Sequence, residues 1–538
     1  MAALSRLKSN KFFWGLCAFL LWGGYFVYIG LRLINVSDQG LTVAWPVNWE
    51  VAQHFAYASF FAYNPPALWT SHHPLYFDTP FAYPFAADFF AGMFIRIGFS
   101  HEVAFVSLSV GTFLALVLVL YLFYFRELKF GSRALVAATI FFANGGLAFF
   151  VYVQEVVKNL VPPSQYYTYA KDIAWNNSTI AQLLGQRSLT LGIPATLLLI
   201  LLLLRWERSH VNHGLWWRSM LLGISAGSLM IVHIHSYIVL LFFAFILFIK
   251  NPQPWKRWLM FGISGFSASF FWFYLFFAEH VTENLFSIHP GWQMSWPFSF
   301  SHFFDFWILN WGFFFATALW AICIRGYRSP FVVVGVIVFL FANFISLQPS
   351  IWDNAKFFVW AYLFLTIPVT VFLSDLWHKK FAQKVLAIFL FFAIVASGFL
   401  DLYVYARQVD TVNTRFIMSR ADIDLAERFR SLLLPGDTVL IADTIDHWVS
   451  AYTGARILTA ANSWLWTFGI DNTVVKNDIA SLYACSNDMD ELLTKYDIRY
   501  IVLGPRERAN YAISEDCLTR YLLVLKNKDT IIYDVKKY

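Results

Sequence analysis

Long apolar runs, separated by short clusters of lysine and arginine, fill the first three quarters of the chain. Each run is close to the ~20 residues that a helix needs to cross a bilayer. One longer stretch, 219–249, lies between two basic clusters, so its two ends face the same side and the chain turns back near His233. The pattern therefore predicts about eleven transmembrane helices, two of them in 219–249 and the others at 12–33, 103–125, 134–153, 188–204, 258–278, 306–324, 331–347, 357–375 and 385–405.

Positive charge marks one side of these predicted spans. The N-terminal segment and the short connectors on that side hold seventeen lysines and arginines but only two acids, Glu127 and Glu207. Short loops with this bias face the cytoplasm. We therefore expect an integral protein of the plasma or inner membrane, with a cytoplasmic N-terminus and an extracytoplasmic C-terminus.

The character of the chain changes after Tyr405, where charged residues return at an ordinary density. Short β-branched runs at 438–442, 500–504 and 530–533 alternate with helical patterns, which predicts a small α/β domain. We divide the chain into a transmembrane domain, 1–405, with a large first outer loop at 35–101, and an extracytoplasmic domain, 406–538. In the first loop, two apolar pieces read as helices lying at the membrane interface.

Composition supports this class and excludes others. The chain is 59% hydrophobic and 13% charged, and its net charge of +6 is spread over connectors rather than gathered on one face, so no nucleic-acid partner is expected. Cys17 and Cys323 fall inside apolar spans, whereas Cys485 and Cys517 lie in the predicted outer domain. In that compartment the second pair is a candidate disulfide.

Three residues of the first outer loop are candidates for chemistry. Glu50 and His54 are four residues apart and share one face of a helix, and Asp88 lies within an otherwise apolar run. Ionisable groups at a membrane are costly to hold there, which favours a function. The alternatives are a hydrated helix face for the first two and a helix cap for Asp88.

Further candidates lie near the predicted outer ends of spans. Lys356 lies on the predicted outer side, whereas the other basic residues near spans are mainly cytoplasmic. We therefore expect it to bind an anion, either Asp353 or a phosphate. Arg187 is similar, although snorkelling at the interface explains it equally well. His233 and His235 at the turn of 219–249 could bond backbone carbonyls or hold a ligand or metal, and His-x-His alone is a weak metal signal.

The order of these motifs resembles the GT-C superfamily of membrane glycosyltransferases, which includes the oligosaccharyltransferases and protein mannosyltransferases. The likeness rests on the residues Glu50-x-x-x-His54, Asn64-Pro65-Pro66, Tyr83-Pro84-Phe85, Asp88, Gln186-Arg187, His233-Ile234-His235, His289-Pro290-Gly291-Trp292, Trp352-Asp353-Asn354-x-Lys356 and Thr453-Gly454-Ala455-Arg456. Related chains place Asp where this chain has Glu50. Asp38 is therefore a rival for the catalytic carboxylate.

The resemblance implies an enzyme that uses a polyprenyl-phosphate-linked sugar as donor at the outer membrane face. Glu50 or Asp88 would act as the base, with Glu50 preferred, and Lys356 and Arg187 would bind the phosphate. His54, His233, His235 and Asp353 would complete the substrate site, and all eight side chains would meet in one cavity. A divalent metal between carboxylates and phosphate is compatible with this set but not required by it.

Two other functions fit the same chain. A transporter or flippase of a lipid-linked glycan would carry charges in mid-span and an internal repeat, and the sequence shows few of the former and no evident repeat. A non-catalytic assembly protein with a GT-C-like fold is the second alternative. The sugar, the acceptor (a glycolipid, a cell-surface glycan or a protein) and any protein partner are left open.

Overall fold

The computed structural model describes residues 10–77, 79–159, 173–208, 216–253, 255–277, 286–294, 298–348, 350–412 and 414–536. The helices are α1 (Lys11–Gly30), α2 (Val51–Tyr63), α3 (Ala86–Arg96), α4 (His101–Leu128), α5 (Gly131–Phe142), α6 (Ala148–Asn159), α7 (Arg187–Glu207), α8 (Trp216–Ser228), α9 (Ile234–Lys250), α10 (Trp255–Phe276), α11 (Phe300–Leu319), α12 (Pro330–Phe344), α13 (Ala355–Trp377), α14 (Phe381–Gln408), α15 (Arg420–Arg430), α16 (Trp448–Thr453), α17 (Asn462–Leu465), α18 (Thr473–Tyr483), α19 (Met489–Lys495), α20 (Pro505–Asn510) and α21 (Glu515–Leu518).

Strands are short and fall into three sheets. They are β1 (Ile34–Val36), β2 (Gly40–Ala44), β3 (Ser287–Ile288), β4 (Ile345–Ser346), β5 (Thr414–Ser419), β6 (Thr438–Leu440), β7 (Arg456–Ile457), β8 (Ile498–Leu503), β9 (Leu522–Lys526) and β10 (Ile531–Asp534). The largest sheet has the order β7-β6-β8-β10-β9, in which β6 is parallel to both of its neighbours and β10 is antiparallel to both of its own. A second sheet has the order β1-β2-β5, and β3 pairs with β4.

The chain forms two compact units. The helical unit comprises 1–32, 109–271 and 286–413, and the mixed unit comprises 33–108, 272–285 and 414–538. This division groups the predicted first outer loop, 35–101, with the C-terminal part of the chain rather than with the transmembrane helices. The proposed boundary between 1–405 and 406–538 stays a prediction.

Within the described residues, seven helices are long and apolar enough to cross a membrane: α1, α4, α7, α10, α11, α13 and α14, some with short flanking turns. Three shorter apolar helices, α5, α9 and α12, accompany them. This is the composition of an integral membrane protein. The count of eleven spans and the orientation of the termini stay predictions.

In the helical unit, α13 is the most buried of the seven long helices and α10 the least. Small residues allow α8 and α10 to touch backbone to backbone, as is typical of membrane helices. A Cβ at Gly227 would stand 2.3 Å from the carbonyl oxygen of Gly265. A helix break lies at the predicted turn within 219–249, because α8 ends at Ser228 and α9 begins at Ile234, with the His233 side chain accepting from the Ser236 amide. That the chain turns back here to form two spans stays a prediction.

The predicted span 134–153 is not one helix. Helix α5 ends at Phe142 and α6 begins at Ala148, and a buried polar network occupies the break. The Asn144 side chain donates to Ser178 Oγ and accepts from the Ser178 amide and from Trp175 Nε1. Asparagine in the middle of an apolar run therefore bonds to a neighbouring segment instead of continuing the helix.

Candidate functional site

Glu50 and His54 stand at the start of α2 in the mixed unit. Glu50 follows the 3-10 turn Val47–Trp49 and directly precedes the helix, and His54 lies one turn further on. Their spacing places both side chains on one helix face. Glu50 Oε2 lies 3.7 Å from His54 Nε2, and the Glu50 side chain is 39% exposed whereas His54 is buried.

Asp88 approaches the other nitrogen of the same imidazole. It lies in the first turn of α3, is 1% exposed, and has its two carboxylate oxygens 3.0 and 3.1 Å from His54 Nδ1. Carboxylate oxygens accept hydrogen bonds, so this contact places the ring proton on Nδ1, which donates a hydrogen bond to Asp88. In the neutral ring, Nε2 then keeps its lone pair on the side of Glu50.

Aromatic rings surround this imidazole. Tyr57 and Tyr83 lie edge-on to His54, with ring centroids 6.2 and 6.1 Å away. Burial raises the pKa of Tyr57 far above its ordinary value; the negative charges of Asp88 and Glu50 act in the same direction, while a hydrogen bond from Gln53 opposes them. Tyr57 therefore remains protonated and keeps its hydroxyl hydrogen at neutral pH.

Helix α2 is held from several sides, and twelve of its thirteen residues are buried. The first of the two apolar loop pieces that the sequence predicts to lie at the membrane interface, α2, is therefore enclosed by protein. Ser59 donates to the Ala451 carbonyl of α16 and accepts from His101 Nε2, both at 2.7 Å. Asn64 donates to the Gly454 carbonyl at 2.8 Å, so two of the motifs noted in the sequence meet here.

In the helical unit, a second group of predicted residues gathers around the start of α9. The rings of His233 and His235 stack with centroids 5.1 Å apart. The positive charge of Lys356 interacts electrostatically with both imidazoles. Lys356 Nζ lies 3.0 Å from Asp353 Oδ1, so the local ion pair is formed. The presence of this pair does not exclude a phosphate, because an ammonium group has three donors.

Arg187 is the first residue of α7 and is buried. Further along this helix, Gly192 faces His233, and a Cβ at residue 192 would lie 2.7 Å from the Cβ of that histidine. Helix α7 therefore lies against the turn that carries both histidines. Arg187, His233, His235, Asp353 and Lys356 belong to the helical unit, whereas Glu50, His54 and Asp88 belong to the mixed unit. Convergence of all eight residues stays a prediction.

Asp38, the rival carboxylate, lies at the tip of the β1–β2 hairpin. The Ser37 and Gly40 backbones bond to each other across the turn, and Asp38 is exposed. Within the described part of the chain, no group of three or more His, Cys, Asp or Glu side chains is arranged to hold a metal ion.

The sequence did not single out a polar cluster beside Glu50. The Arg415 guanidinium lies 5.1 Å from the centre of the Trp49 ring and 2.5 Å from Asp446. Trp49 remains 56% exposed although it directly precedes Glu50. An exposed tryptophan next to a predicted catalytic carboxylate was a usable signal, but its partners come from the distant residues 415 and 446.

Cys485 and Cys517 form a disulfide in the mixed unit, with Cα atoms 6.3 Å apart. That separation lies within the range that a disulfide spans. Cys17 and Cys323 are free.

Comparison with known proteins identifies the fold. No protein-family model matches the sequence, and no curated protein matches it. The crystal structure of an oligosaccharyltransferase from Archaeoglobus fulgidus, tethered through a disulfide to an acceptor peptide containing the NVT sequon, superposes with a TM-score of 0.51 at 13% identity, covering 92% of this chain and 70% of that one. The chain shares the fold of this oligosaccharyltransferase.

A second similar structure is the archaeal oligosaccharyltransferase AglB from Archaeoglobus fulgidus, in complex with an inhibitory peptide and a dolichol-phosphate. It covers 93% of this chain and 70% of its own at 13% identity, with a TM-score of 0.47. The resemblance read from the short motifs of the sequence agrees with the fold of the first structure.

Proposed function

We propose that this protein is an integral-membrane glycosyltransferase that moves a sugar from a polyprenyl-phosphate-linked donor to an acceptor hydroxyl. The observation that carries the proposal is the chain of contacts from Glu50 through His54 to Asp88 on a GT-C fold. A half-exposed carboxylate backed by an oriented imidazole and a buried carboxylate is an arrangement suited to accepting a proton from a bound hydroxyl. The candidate acceptors are a glycolipid, a cell-surface glycan and a protein.

The reaction makes one bond and breaks one at the anomeric carbon, and it moves one proton. The acceptor oxygen attacks the anomeric carbon of the donor sugar as its proton moves to the Glu50 carboxylate. The bond between the anomeric carbon and the phosphate oxygen breaks, and the electron pair leaves with the polyprenyl phosphate. A direct displacement of this kind inverts the anomeric configuration, and one carboxylate base is sufficient for it.

His54 and Asp88 have supporting roles in this proposal. Asp88 is buried against His54, so it orients the imidazole rather than reaching the acceptor. With Nδ1 bonded to Asp88, Nε2 is the atom that can take the proton on from Glu50. The resulting imidazolium would be stabilised by Asp88, as a buried carboxylate stabilises a protonated histidine in other hydrolytic and transfer sites.

Lys356 and Arg187 are the proposed ligands of the departing phosphate. Both lie at the first turn of a helix in the helical unit, where backbone N–H groups also favour an anion. The two stacked histidines, His233 and His235, supply further hydrogen-bonding groups beside Lys356. Stabilisation of a developing charge by fixed donors is a large contribution to catalysis.

The test is transfer from synthetic polyprenyl-phosphate sugars by the full-length protein in proteoliposomes, with membrane extract as the source of acceptor. Glu50→Gln should reduce turnover by roughly 10²- to 10⁴-fold, as the loss of a general base does. Glu427→Gln, an exposed carboxylate on α15 of the same unit, is the matched control and should retain activity.

Two results would contradict the proposal. Unchanged transfer by Glu50→Gln would remove Glu50 as the base. Movement of the intact donor across the bilayer by the wild-type protein, without cleavage of its sugar–phosphate bond, would instead favour a transporter. The anomeric configuration of any product, read by NMR, tests inversion separately.

A further inference from the structure

An apolar cleft opens in the helical unit at the end of α13 that lies far from Lys356. Its walls come from the last turns of α13, the first turns of α5 and α14, and Trp14 of α1, and its volume is about 390 Å³. Lys356 and Ser374 are eighteen residues apart on α13. At ~1.5 Å of rise per residue they are separated by roughly 27 Å, so the cleft is distinct from the proposed phosphate site.

A stripe of polar groups runs along one wall of this apolar cleft. Thr370, Ser374 and His378 line it and recur at intervals of four residues, which places them on one face of α13. The Thr370 hydroxyl is buried and has no hydrogen-bond partner among the described residues. A buried hydroxyl without a partner costs free energy, which a ligand oxygen would recover.

A cation stands at the mouth. Arg133 also lines the cleft, is half-buried, and has its guanidinium 4.6 Å from the centre of the Phe130 ring. In the described part of the chain it forms no ion pair. Lys379 and Lys380 follow His378 directly and are exposed, so positive charge gathers at this end of α13.

From these features we propose that the cleft binds one anionic phospholipid. One acyl chain would occupy the apolar walls, and the phosphate of the headgroup would bind the Arg133 guanidinium. A groove that is apolar in depth and cationic at the helix ends matches an amphipathic anion, and basic pockets between membrane helices are known to take such headgroups. The basic connectors predict that this end faces the cytoplasmic leaflet, which is rich in anionic lipid.

The proposal is tested on the full-length protein in detergent by native mass spectrometry, with phosphatidylglycerol or phosphatidylcholine of equal chain length added at increasing concentration. The wild-type protein should retain one phosphatidylglycerol at concentrations where phosphatidylcholine is lost. Arg133→Ala should weaken this binding by roughly tenfold or more, the effect of losing one charge-assisted hydrogen bond.

The control is Arg218→Ala. Arg218 also stacks on a neighbouring ring, Trp217, at 5.3 Å, but it does not line the cleft, so phosphatidylglycerol should remain bound. Ala387→Trp, which fills the cleft from α14, should abolish binding in protein that stays monodisperse. Thr370→Val keeps the shape of the side chain but removes the hydroxyl, so it should weaken binding severalfold.

Three outcomes overturn the proposal. Equal retention of the two lipids would show that the charge of the headgroup does not contribute to binding. Equal binding by Arg133→Ala and Arg218→Ala would remove Arg133 as its ligand. Competition by inorganic phosphate alone, with no dependence on Ala387→Trp, would show that a free anion rather than a lipid occupies the mouth.

Discussion

Gly92 of α3 lies against the backbone of Ala58 in α2, and a Cβ at residue 92 would stand 2.7 Å from the Ala58 carbonyl oxygen. The same Cβ would be 2.8 Å from the Cβ of Phe61. Only a residue without a side chain permits this approach, and the approach is what brings Asp88 of α3 to His54 of α2. One glycine therefore controls the distance between the two residues of the proposed proton relay.

We expect Gly92→Ala to separate α2 from α3. Overpacking against rigid backbone costs about 1–3 kcal/mol, so the thermal midpoint of the full-length protein should fall together with transfer activity. Gly111→Ala is the matched control, because that helical glycine has nothing within 4 Å of its Cβ position. Equal stability of the two variants would mean that the helices adapt and that the glycine is not required.

Asp88→Asn tests the orienting role of the buried carboxylate. An asparagine amide can donate to Nδ1, which would move the imidazole proton to Nε2 and remove the atom that accepts from Glu50. We expect kcat to fall by roughly 10²- to 10⁴-fold with little change in KM. Asp424→Asn, at an exposed pair on α15, should change neither constant. A change confined to KM would assign Asp88 to substrate binding.

Much of the helical unit was readable from the sequence because length and apolarity determine a membrane helix. The break before α9 was predicted from His233, where a polar run interrupts thirty-one apolar-rich positions (219–249). The break after Phe142 was not predicted, since Asn144 is a single polar residue whose partners, Trp175 and Ser178, are known only from the fold.

The candidate site was predictable only in part for the same reason. The Glu50–His54 spacing is local, and a helical period is enough to place both residues on one face. The contact between His54 and Asp88 joins residues thirty-four positions apart and depends on Gly92. Burial of α2 depends on α16, nearly four hundred residues away, where Ala451 accepts from Ser59. No periodicity within the first loop could reveal it.

Glu507 gives the mixed unit a pH-dependent stability. Burial alone would raise the pKa of this carboxyl, but the charge and hydrogen bond of His447 and the backbone amide of Ala442 lower the pKa to about 2, from 4.5. Because the folded-state pKa is depressed, the ionised group stabilises the fold above pH 4.5. That contribution is lost as the pH falls from 4.5 toward 2.

We therefore expect the thermal midpoint of the wild-type protein to decline through this window. Glu507→Gln should be less stable at neutral pH and should show a flatter decline, because it has no carboxylate to protonate. Asp529→Asn, at an exposed turn, should follow the wild-type curve. Tryptophan fluorescence in detergent is the measurement, and parallel curves for all three proteins would exclude Glu507 as the titrating group.

The disulfide between Cys485 and Cys517 closes a separation of thirty-two residues. In the chain-entropy model a loop of this length is stabilised by about 3–4 kcal/mol. We expect Cys485→Ser/Cys517→Ser to lower the unfolding midpoint of the mixed unit and Cys17→Ser/Cys323→Ser to leave it unchanged. Maleimide labelling before and after reduction should show two thiols released by reductant. Four reactive thiols in unreduced protein from intact cells would contradict the pairing.

Orientation in the membrane is the prediction on which the location of the proposed chemistry depends. The basic connectors place Ala382 of α14 on the cytoplasmic side and Lys528, in the turn between β9 and β10, on the outer side. Both residues are exposed.

In a background without Cys17 and Cys323, Lys528→Cys should react with an impermeant maleimide in intact cells, and Ala382→Cys should react only after permeabilisation. Labelling of Ala382→Cys in intact cells together with protection of Lys528→Cys would reverse the topology. Glu50 and its neighbours pack in the same unit as Lys528, so that result would also place the site at the cytoplasmic face and exclude a donor presented from outside.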